Sequence, residues 1–365
     1  MPEGPGKDGI DRIRVQTDPN SSHPEGKRGN RDPPEEKRDG FPVCSEKADF
    51  LKGWQGRKIF HPLYIDSYNK GDLAARVENA RSILKSCRLC PRDCRVNRLE
   101  NQKGYCRTGR LAVLSSYGPH FGEEDPLVGT GGSGTIFFAH CNLLCLFCQN
   151  YEISHLGEGR EVTADQLARV MLSLQERGCH NINFVSPSHV VPQILESLSI
   201  AASEGLKTPL VYNTGGYDSV ETLKLLEGIF DIYMPDLKFM DGEIARQYCE
   251  AEDYPVRVRE AIREMHRQTG DLVINRRGLA ERGLIVRHLV LPERLAGTRK
   301  AMGFLARDIS RQTYVNLMAQ YRPCGRAGSY PPLNRRLILD EFEEALRIAE
   351  EEGIHRLDRR ALFPC

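Results

Sequence analysis

No apolar run in this 365-residue chain is long enough to cross a bilayer, and the N-terminus lacks the apolar stretch of a secretory signal. The expectation is a cytoplasmic protein with no membrane partner. A surplus of charge is also missing. Fifty-one Lys and Arg stand against fifty Asp and Glu, a formal net charge of +1. That balance argues against bulk electrostatic binding of nucleic acid or of an anionic membrane. Residues 1–40 have almost no aromatic or aliphatic run and are rich in Pro, Gly, Asp, Lys and Arg. They are expected to be a disordered extension, with structure beginning near Phe41. What is present is a 40% share of hydrophobic residues, enough for a sizeable core, and twelve cysteines.

Seven of those cysteines fall in two tight groups, while Cys44, Cys179, Cys249, Cys324 and Cys365 are scattered. A secreted disulfide scaffold would be smaller and more evenly studded, so the groups read as metal or cluster ligands and the scattered residues as free thiols. The first group is Cys87-x2-Cys90-x3-Cys94-x11-Cys106, interleaved with Arg88, Arg92, Arg95 and Arg98. Four thiolates make a closed site for a structural zinc or for a second iron–sulfur cluster. The spacing argues for a metal without choosing one, and reduced cysteines packed as small apolar groups are the alternative. Pro91, Gly104 and Gly109 make this segment loop-rich, with little core of its own. The second group is Cys141-x3-Cys145-x2-Cys148, led in by the flexible Gly131–Gly134 and the strand-like Thr135–Ala139. Three thiolates hold one face of an iron–sulfur cube and leave one iron open, where a substrate or cofactor can bind.

Elsewhere the pattern alternates. Helical spacing runs from Leu73 to Lys85, with Asp72 as the expected N-cap. Strand-like runs follow at Thr135–Ala139, Asn181–Val185, Leu210–Asn213, Ile232–Met234, Leu284–Leu291 and Tyr314–Met318. Helical patterns lie between and after them: Ala164–Arg177 opened by Thr163, Val190–Glu204, Val220–Leu226, one long helix over Gly242–Thr269, Lys300–Arg311 and Asp340–Glu352. Strand–helix alternation implies a parallel sheet with right-handed crossovers. The expected fold is α/β, a partial (β/α)6 TIM-like barrel with an N-terminal cysteine-rich module. Its divisions are residues 1–40, 41–125, 126–355 and a C-terminal tail at 356–365. Every strand ends in polar, Gly or Pro residues, as a barrel does when its C-terminal face carries the chemistry.

The motif Cys141-x3-Cys145-x-Phe147-Cys148 after a strand, at the head of six such units, resembles the radical S-adenosylmethionine (radical SAM) superfamily. Within it the chain is similar to pyruvate formate-lyase-activating-enzyme-like proteins. The matching segments are Pro119–Glu124, Gly132–Phe138, Cys148–Asn150, Asn181–Asn183, Val211–Thr214, Asp231–Lys238 and Arg287–Pro292, with the Cys87–Cys106 module. The resemblance implies a [4Fe-4S] cluster on Cys141, Cys145 and Cys148, and S-adenosylmethionine on its open iron. One electron from a donor such as flavodoxin or ferredoxin then yields a 5′-deoxyadenosyl radical that takes a substrate hydrogen, with a glycine Cα of a partner protein as one candidate. It also implies Phe147 beside the adenine, a place that ordinary core packing would equally explain.

Two departures qualify that transfer. Many members end the second strand with Gly-Gly-Glu, where this chain has Val185-Ser-Pro-Ser-His189. Ser186, Ser188 or His189 are then the candidate polar contacts, although Ser-Pro-Ser also suits a helix N-cap. Glycyl radical activases carry Asp-Thr after the third strand and Asp-x-Lys after the fourth; this chain has Asn213-Thr214 and Asp236-Leu-Lys238. Asn213, Asp236 and Lys238 are therefore expected near S-adenosylmethionine or a cation, the loss of a carboxylate at Asn213 weakening the cation, and a structural Asp–Lys pair is the plain alternative. His120, Glu123 and Glu124 gate the site, bind a peptide or cap the preceding module, and capping is the favoured reading. Of Arg287 and His288 one points into the barrel, with His288 read as a core histidine. Cys324 follows the last strand at the expected catalytic face. The competing class is an electron-transfer or structural iron–sulfur or zinc protein without S-adenosylmethionine chemistry.

Overall fold

The computed structural model describes residues 60–359. The expected disordered head, the start near Phe41, Cys44 and Cys365 lie outside the described residues. A nine-stranded mixed sheet runs in the order β3-β1-β2-β4-β5-β6-β8-β7, and β9 pairs with β8. Its parallel part is β2 (Ser133–Phe138), β4 (Ile182–Val185), β5 (Leu210–Thr214), β6 (Ile232–Pro235), β8 (Ala280–Leu289) and β9 (Tyr314–Met318). These are the six strands read from the sequence, curved into a partial barrel that does not close. Antiparallel strands flank them: β1 (Ala112–His120) on β2, β3 (Arg160–Val162) on β1, and β7 (Val273–Ile274) on β8. The sequence reading missed these three. The strand β1 comes from residues assigned to the N-terminal module, so that module and the barrel share one sheet.

The longer helices cover the outside of the sheet. The first two are α1 (Leu63–Asn69) and α2 (Asp72–Ile83), with short α3 (Asp125–Val128) and α4 (Tyr151–Ser154) after them. Next come α5 (Ala164–Glu176), α6 (Val191–Ser203) and α7 (Val220–Leu225). In α5, Leu167, Ala168, Val170, Met171 and Leu174 are buried at helical spacing, and Thr163 and Gln166 form a capping box at its start. The expected single helix over 242–269 is two helices, α8 (Gly242–Cys249) and α9 (Tyr254–Thr269). Glu250 is left-handed at φ 51°, and Pro255 sits in the first turn of α9, where its missing N–H costs nothing. The last two are α10 (Thr298–Phe304), continued by a π turn, and α11 (Leu339–Glu352). Asp72 is the first residue of α2 and Gly71 the N-cap, a correction to the expected cap.

Strand alternation sorts the side chains into two layers. Phe184, Tyr212, Phe230 and Tyr233 meet edge-to-face or tilted in the outer layer under the helices, with ring centroids 5.0–6.1 Å apart. Each such pair contributes roughly 0.5–1.5 kcal/mol beyond burial. The inner layer holds a separate apolar plug of Leu127, Val211, Ile232, Met234, Leu272, Ile285 and Tyr314. One step further along the same strands, towards their C-terminal ends, the inward residues turn polar at Asn213, Asp236 and Arg287. Residues 356–359, expected to be a tail, are part of the fold: Leu357 bridges to Val315, and buried Asp358 accepts from the Tyr314 hydroxyl at 2.9 Å.

Candidate active site

The loop Cys141–Cys148 leaves the C-terminal end of β2 and is shaped by two left-handed residues, His140 (φ 67°) and Leu144 (φ 51°). Leu143 donates its N–H to the Cys141 sulfur at 3.4 Å, and Ser154 on α4 bonds Cys148. The break between α8 and α9 serves this loop. The last carbonyls of a helix have no partner within it. Here Tyr248 O accepts from Leu146 N at 3.0 Å, and Cys249 O and Glu250 O accept from the Arg92 guanidinium. Arg92 also donates to Asn142 O at 2.9 Å, and its carbon lies 3.7 Å from the Tyr105 ring centroid. A single side chain from between Cys90 and Cys94 therefore fastens the N-terminal module to the inner cysteine loop.

Cys249 was read as a scattered thiol. The structure places its sulfur 3.1 Å from that of Cys145, and both are buried. The S–H of Cys249 holds the Cys145 thiol below its ordinary range, against burial, with Lys238 adding to the effect. Burial pushes Cys141 up, and pushes Cys148 up to about 11. No signal in the sequence paired Cys249 with a residue 104 positions earlier.

Beside the loop lies a network of charges built on buried Asp236, with Lys238 and Arg287 each 17% exposed. Asp236 accepts from Lys238 Nζ at 2.5 Å and from Arg287 Nε at 2.7 Å, and Arg287 Nη2 donates to Asn213 Oδ1 at 2.6 Å. Burial alone would raise the Asp236 carboxyl; Arg287 and Lys238 outweigh it and hold it below the usual carboxylate range. Burial would lower the Lys238 ammonium; Asp236, then Cys145, hold it up. Where a third-strand aspartate would have favoured a bound cation, Asn213 instead faces the protein's own cation, Arg287. Arg287 also lies 3.8 Å from Glu123, and Glu124 accepts from Asn316 Nδ2 at 3.0 Å. Burial pushes Glu124 up to about 7, against the pull of Arg287. The expectation that Glu123 and Glu124 cap the cysteine module is thereby corrected: both reach into the barrel.

The other predicted residues divide. Ser186 is left-handed at the end of β4 and donates its N–H to Asn213 O at 2.9 Å, which puts it beside the network. Ser188 turns away: its hydroxyl lies 3.0 Å from Thr214 Oγ1, which donates to buried Asp218 at 2.6 Å. His189 also leaves the site, its Nε2 lying 3.1 Å from Ala139 O, and burial lowers it to about 3. The 3₁₀ turn Pro187–His189 rotates both side chains away from the inner face. Phe147 is buried edge-on to Phe239 and Tyr321, with centroids 5.9 and 6.2 Å away. His288 is a satisfied core histidine between Leu237 O at 2.6 Å and Thr298 Oγ1 at 3.0 Å. Half-buried Cys324 lies on a loop that docks on the cysteine loop through Arg326 N to Leu146 O at 2.8 Å. The thiols of Cys87, Cys90, Cys94 and Cys106 line one cavity with Arg98 and His189. Among the described residues no three His, Cys, Asp or Glu side chains are gathered as a preformed site for one metal ion.

The donor set of Cys141, Cys145 and Cys148 fits an iron–sulfur cluster. Three thiols share one loop, an amide and a hydroxyl point at their sulfurs, and a partly buried ammonium stands beside them to balance thiolate charge. The radical SAM superfamily profile matches residues 135–276. An uncharacterized protein of Methanocaldococcus jannaschii is 32% identical over 313 residues, covering 81% of this chain and 86% of that protein. Pyruvate formate-lyase-activating enzyme of Clostridium pasteurianum is 26% identical over 121 residues, 32% of this chain and 49% of that enzyme. A solved radical SAM methyltransferase from Sphaerobacter thermophilus matches 63% of this chain and 68% of its own at a TM-score of 0.44 and 16% identity. With the three-cysteine loop at the mouth of its barrel, the chain belongs to the radical SAM superfamily.

Proposed function

We propose that this protein is a hydrogen-abstracting radical SAM enzyme, with Cys141, Cys145 and Cys148 holding a [4Fe-4S] cluster whose open iron takes S-adenosylmethionine. The observation that carries this reading is the placement of the three-thiol loop against the Asp236–Lys238–Arg287 network. When bound, the cluster and S-adenosylmethionine together supply a 5′-deoxyadenosyl radical that takes a hydrogen atom from the substrate. The chain's own residues position and exclude. Lys238 places positive charge beside the sulfurs, Asp236 and Ser186 line the approach as candidate contacts for the amino acid or ribose end, and Phe147 with Phe239 and Tyr321 gives an apolar wall that keeps water off a reactive radical. The electron comes from a flavodoxin- or ferredoxin-like donor in a reducing compartment, the cytoplasm, which also keeps the thiols free.

Similarity to an activating enzyme supports a finer reading, in which the hydrogen comes from a glycine Cα of a partner protein. The test is anaerobic reconstitution with iron and sulfide, then dithionite and S-adenosylmethionine. Wild type is expected to release 5′-deoxyadenosine and to show a reduced-cluster EPR signal that S-adenosylmethionine shifts, whereas Cys141→Ala loses both. Release at the wild-type rate by Cys141→Ala overturns the assignment. An unshifted signal assigns the chain to electron transfer instead. For the finer reading, a glycyl radical doublet in a co-purifying partner is the expected result.

A further inference from the structure

Among the described residues Arg98 is the largest side chain buried almost completely, at 1% exposure. Its Nε donates to Gly109 O at 3.0 Å and its Nη1 to His189 O at 2.8 Å, Nη1 also lies 3.8 Å from the Cys87 sulfur, and Nη2 has no hydrogen-bond partner among the described residues. Among the described residues no carboxylate forms an ion pair with it. A guanidinium stays charged in a protein, and a buried charge without a counter-charge is strongly unfavourable. The cavity beside it is walled by Cys87, Cys90, Cys94 and Cys106. Asp93 borders the same cavity, but its carboxylate turns to Arg95 at 2.9 Å. Four neutral thiols do not answer Arg98, whereas four thiolates on a metal centre carry the net negative charge that does.

The chain around the cavity is wound to hold sulfur. Four non-glycine residues between 93 and 107 are left-handed, Asp93, Arg95, Asn101 and Arg107. Tyr105 donates its N–H to the Cys94 sulfur at 3.3 Å, and a Cβ on Gly104 would stand 2.8 Å from that sulfur. Strained conformations of this kind persist where the surroundings over-determine them.

The position of the cavity indicates its use. Cys90 borders it and also an outer groove lined by Arg88 and Arg95. On the inner side, the side chain of buried Asn142 contacts both the Cys90 thiol and, at 4.0 Å, the Cys141 sulfur. The four-cysteine site thus stands between the surface and the three-cysteine loop, one side chain away from it.

We propose that Cys87, Cys90, Cys94 and Cys106 hold a second iron–sulfur cluster, balanced by Arg98, that relays one electron from an external low-potential carrier protein to the Cys141 group. The inference rests on the radical SAM reading for the electron's destination but not for the cluster itself. The carrier loses one electron, the second cluster gains it and passes it on, and no bond or proton changes at the four cysteines.

The test uses the full chain with Cys141, Cys145 and Cys148 all replaced by Ser, reconstituted anaerobically. The expected result is iron and sulfide in equal number and a dithionite-reducible EPR signal, both lost when Cys87→Ser and Cys106→Ser are added. One zinc per chain with no iron, or no bound metal, overturns the proposal. If the triple variant does not fold, wild type decides. Two reduced signals are expected, of which S-adenosylmethionine shifts one; a single signal overturns the second cluster. Failure of the radical SAM reading looks different, since then no signal shifts and no 5′-deoxyadenosine forms. In an EPR-monitored redox titration, Arg98→Gln is expected to move the S-adenosylmethionine-insensitive signal to lower potential while Arg98→Lys restores it. An unmoved potential in Arg98→Gln removes the counter-charge role.

Discussion

Arg287 shows what a single residue does at the centre of this barrel. Its guanidinium joins Asp236, just past the end of β6, to Asn213 on β5 and faces Glu123 from the chain beyond β1. Replacing it by Met removes one of the two cations that bond Asp236 and takes a positive charge away from Glu123 and Glu124. Removing one partner of a buried ion pair costs about 3–5 kcal/mol. Arg287→Met is therefore expected to lower unfolding free energy by about 3 kcal/mol in denaturant titration, near the low end because Lys238 remains. A loss below about 0.5 kcal/mol, the range of ordinary surface changes, contradicts the network. Strand periodicity placed one of Arg287 and His288 inside, but not Arg287 opposite Asn213, since these residues are 74 positions apart. Cys249 was hidden for the same reason. The Cys141, Cys145 and Cys148 group was legible because its spacing alone brings the three thiols onto one loop.

At the scale of elements, one hydroxyl ties a helix to the strand ends. Tyr254, the first residue of α9, donates to Asp236 O at 2.8 Å or Gly215 O at 3.0 Å and accepts from Lys238 N at 3.0 Å. Removing it strands buried backbone groups, at a cost of roughly 1–3 kcal/mol each. Tyr254→Phe is expected to lose about 2 kcal/mol and to raise hydrogen exchange at the Lys238 amide. Unchanged protection there counts against the tie. The six parallel strands were legible from short β-branched and aromatic runs ending in polar residues. The strands β1, β3 and β7 were not. β1 carries Ser, Gly and Pro, which interrupt a strand-like run, and it is a strand because β2 pairs along it. The split of α8 from α9 was likewise hidden, since amphipathic spacing continues across the break.

For the molecule as a whole, buried carboxylates set part of the response to pH. Burial raises Glu124 from 4.5 to about 7. A raised carboxyl binds more proton folded than unfolded between those values, so its contribution to stability falls as pH rises from about 4.5 to 7. Two buried histidines, His189 lowered to about 3 and His288 to about 4, act in the opposite sense below 6.5, so the difference between variants is the informative quantity. Wild type minus Glu124→Gln is expected to decline across that window, by up to about 3 kcal/mol. A flat difference in thermal or denaturant unfolding overturns the buried Glu124 assignment. The sequence by itself determined the alternation that makes the barrel and the spacing that makes the three-cysteine loop, because both depend on neighbours within a few residues. Only the tertiary structure decided which charges meet at Asp236, which thiol touches Cys145, and that Arg98 is buried beside four cysteines. Those pairings cost chain entropy that no local pattern reveals, and they form only once the sheet has brought distant segments to one place.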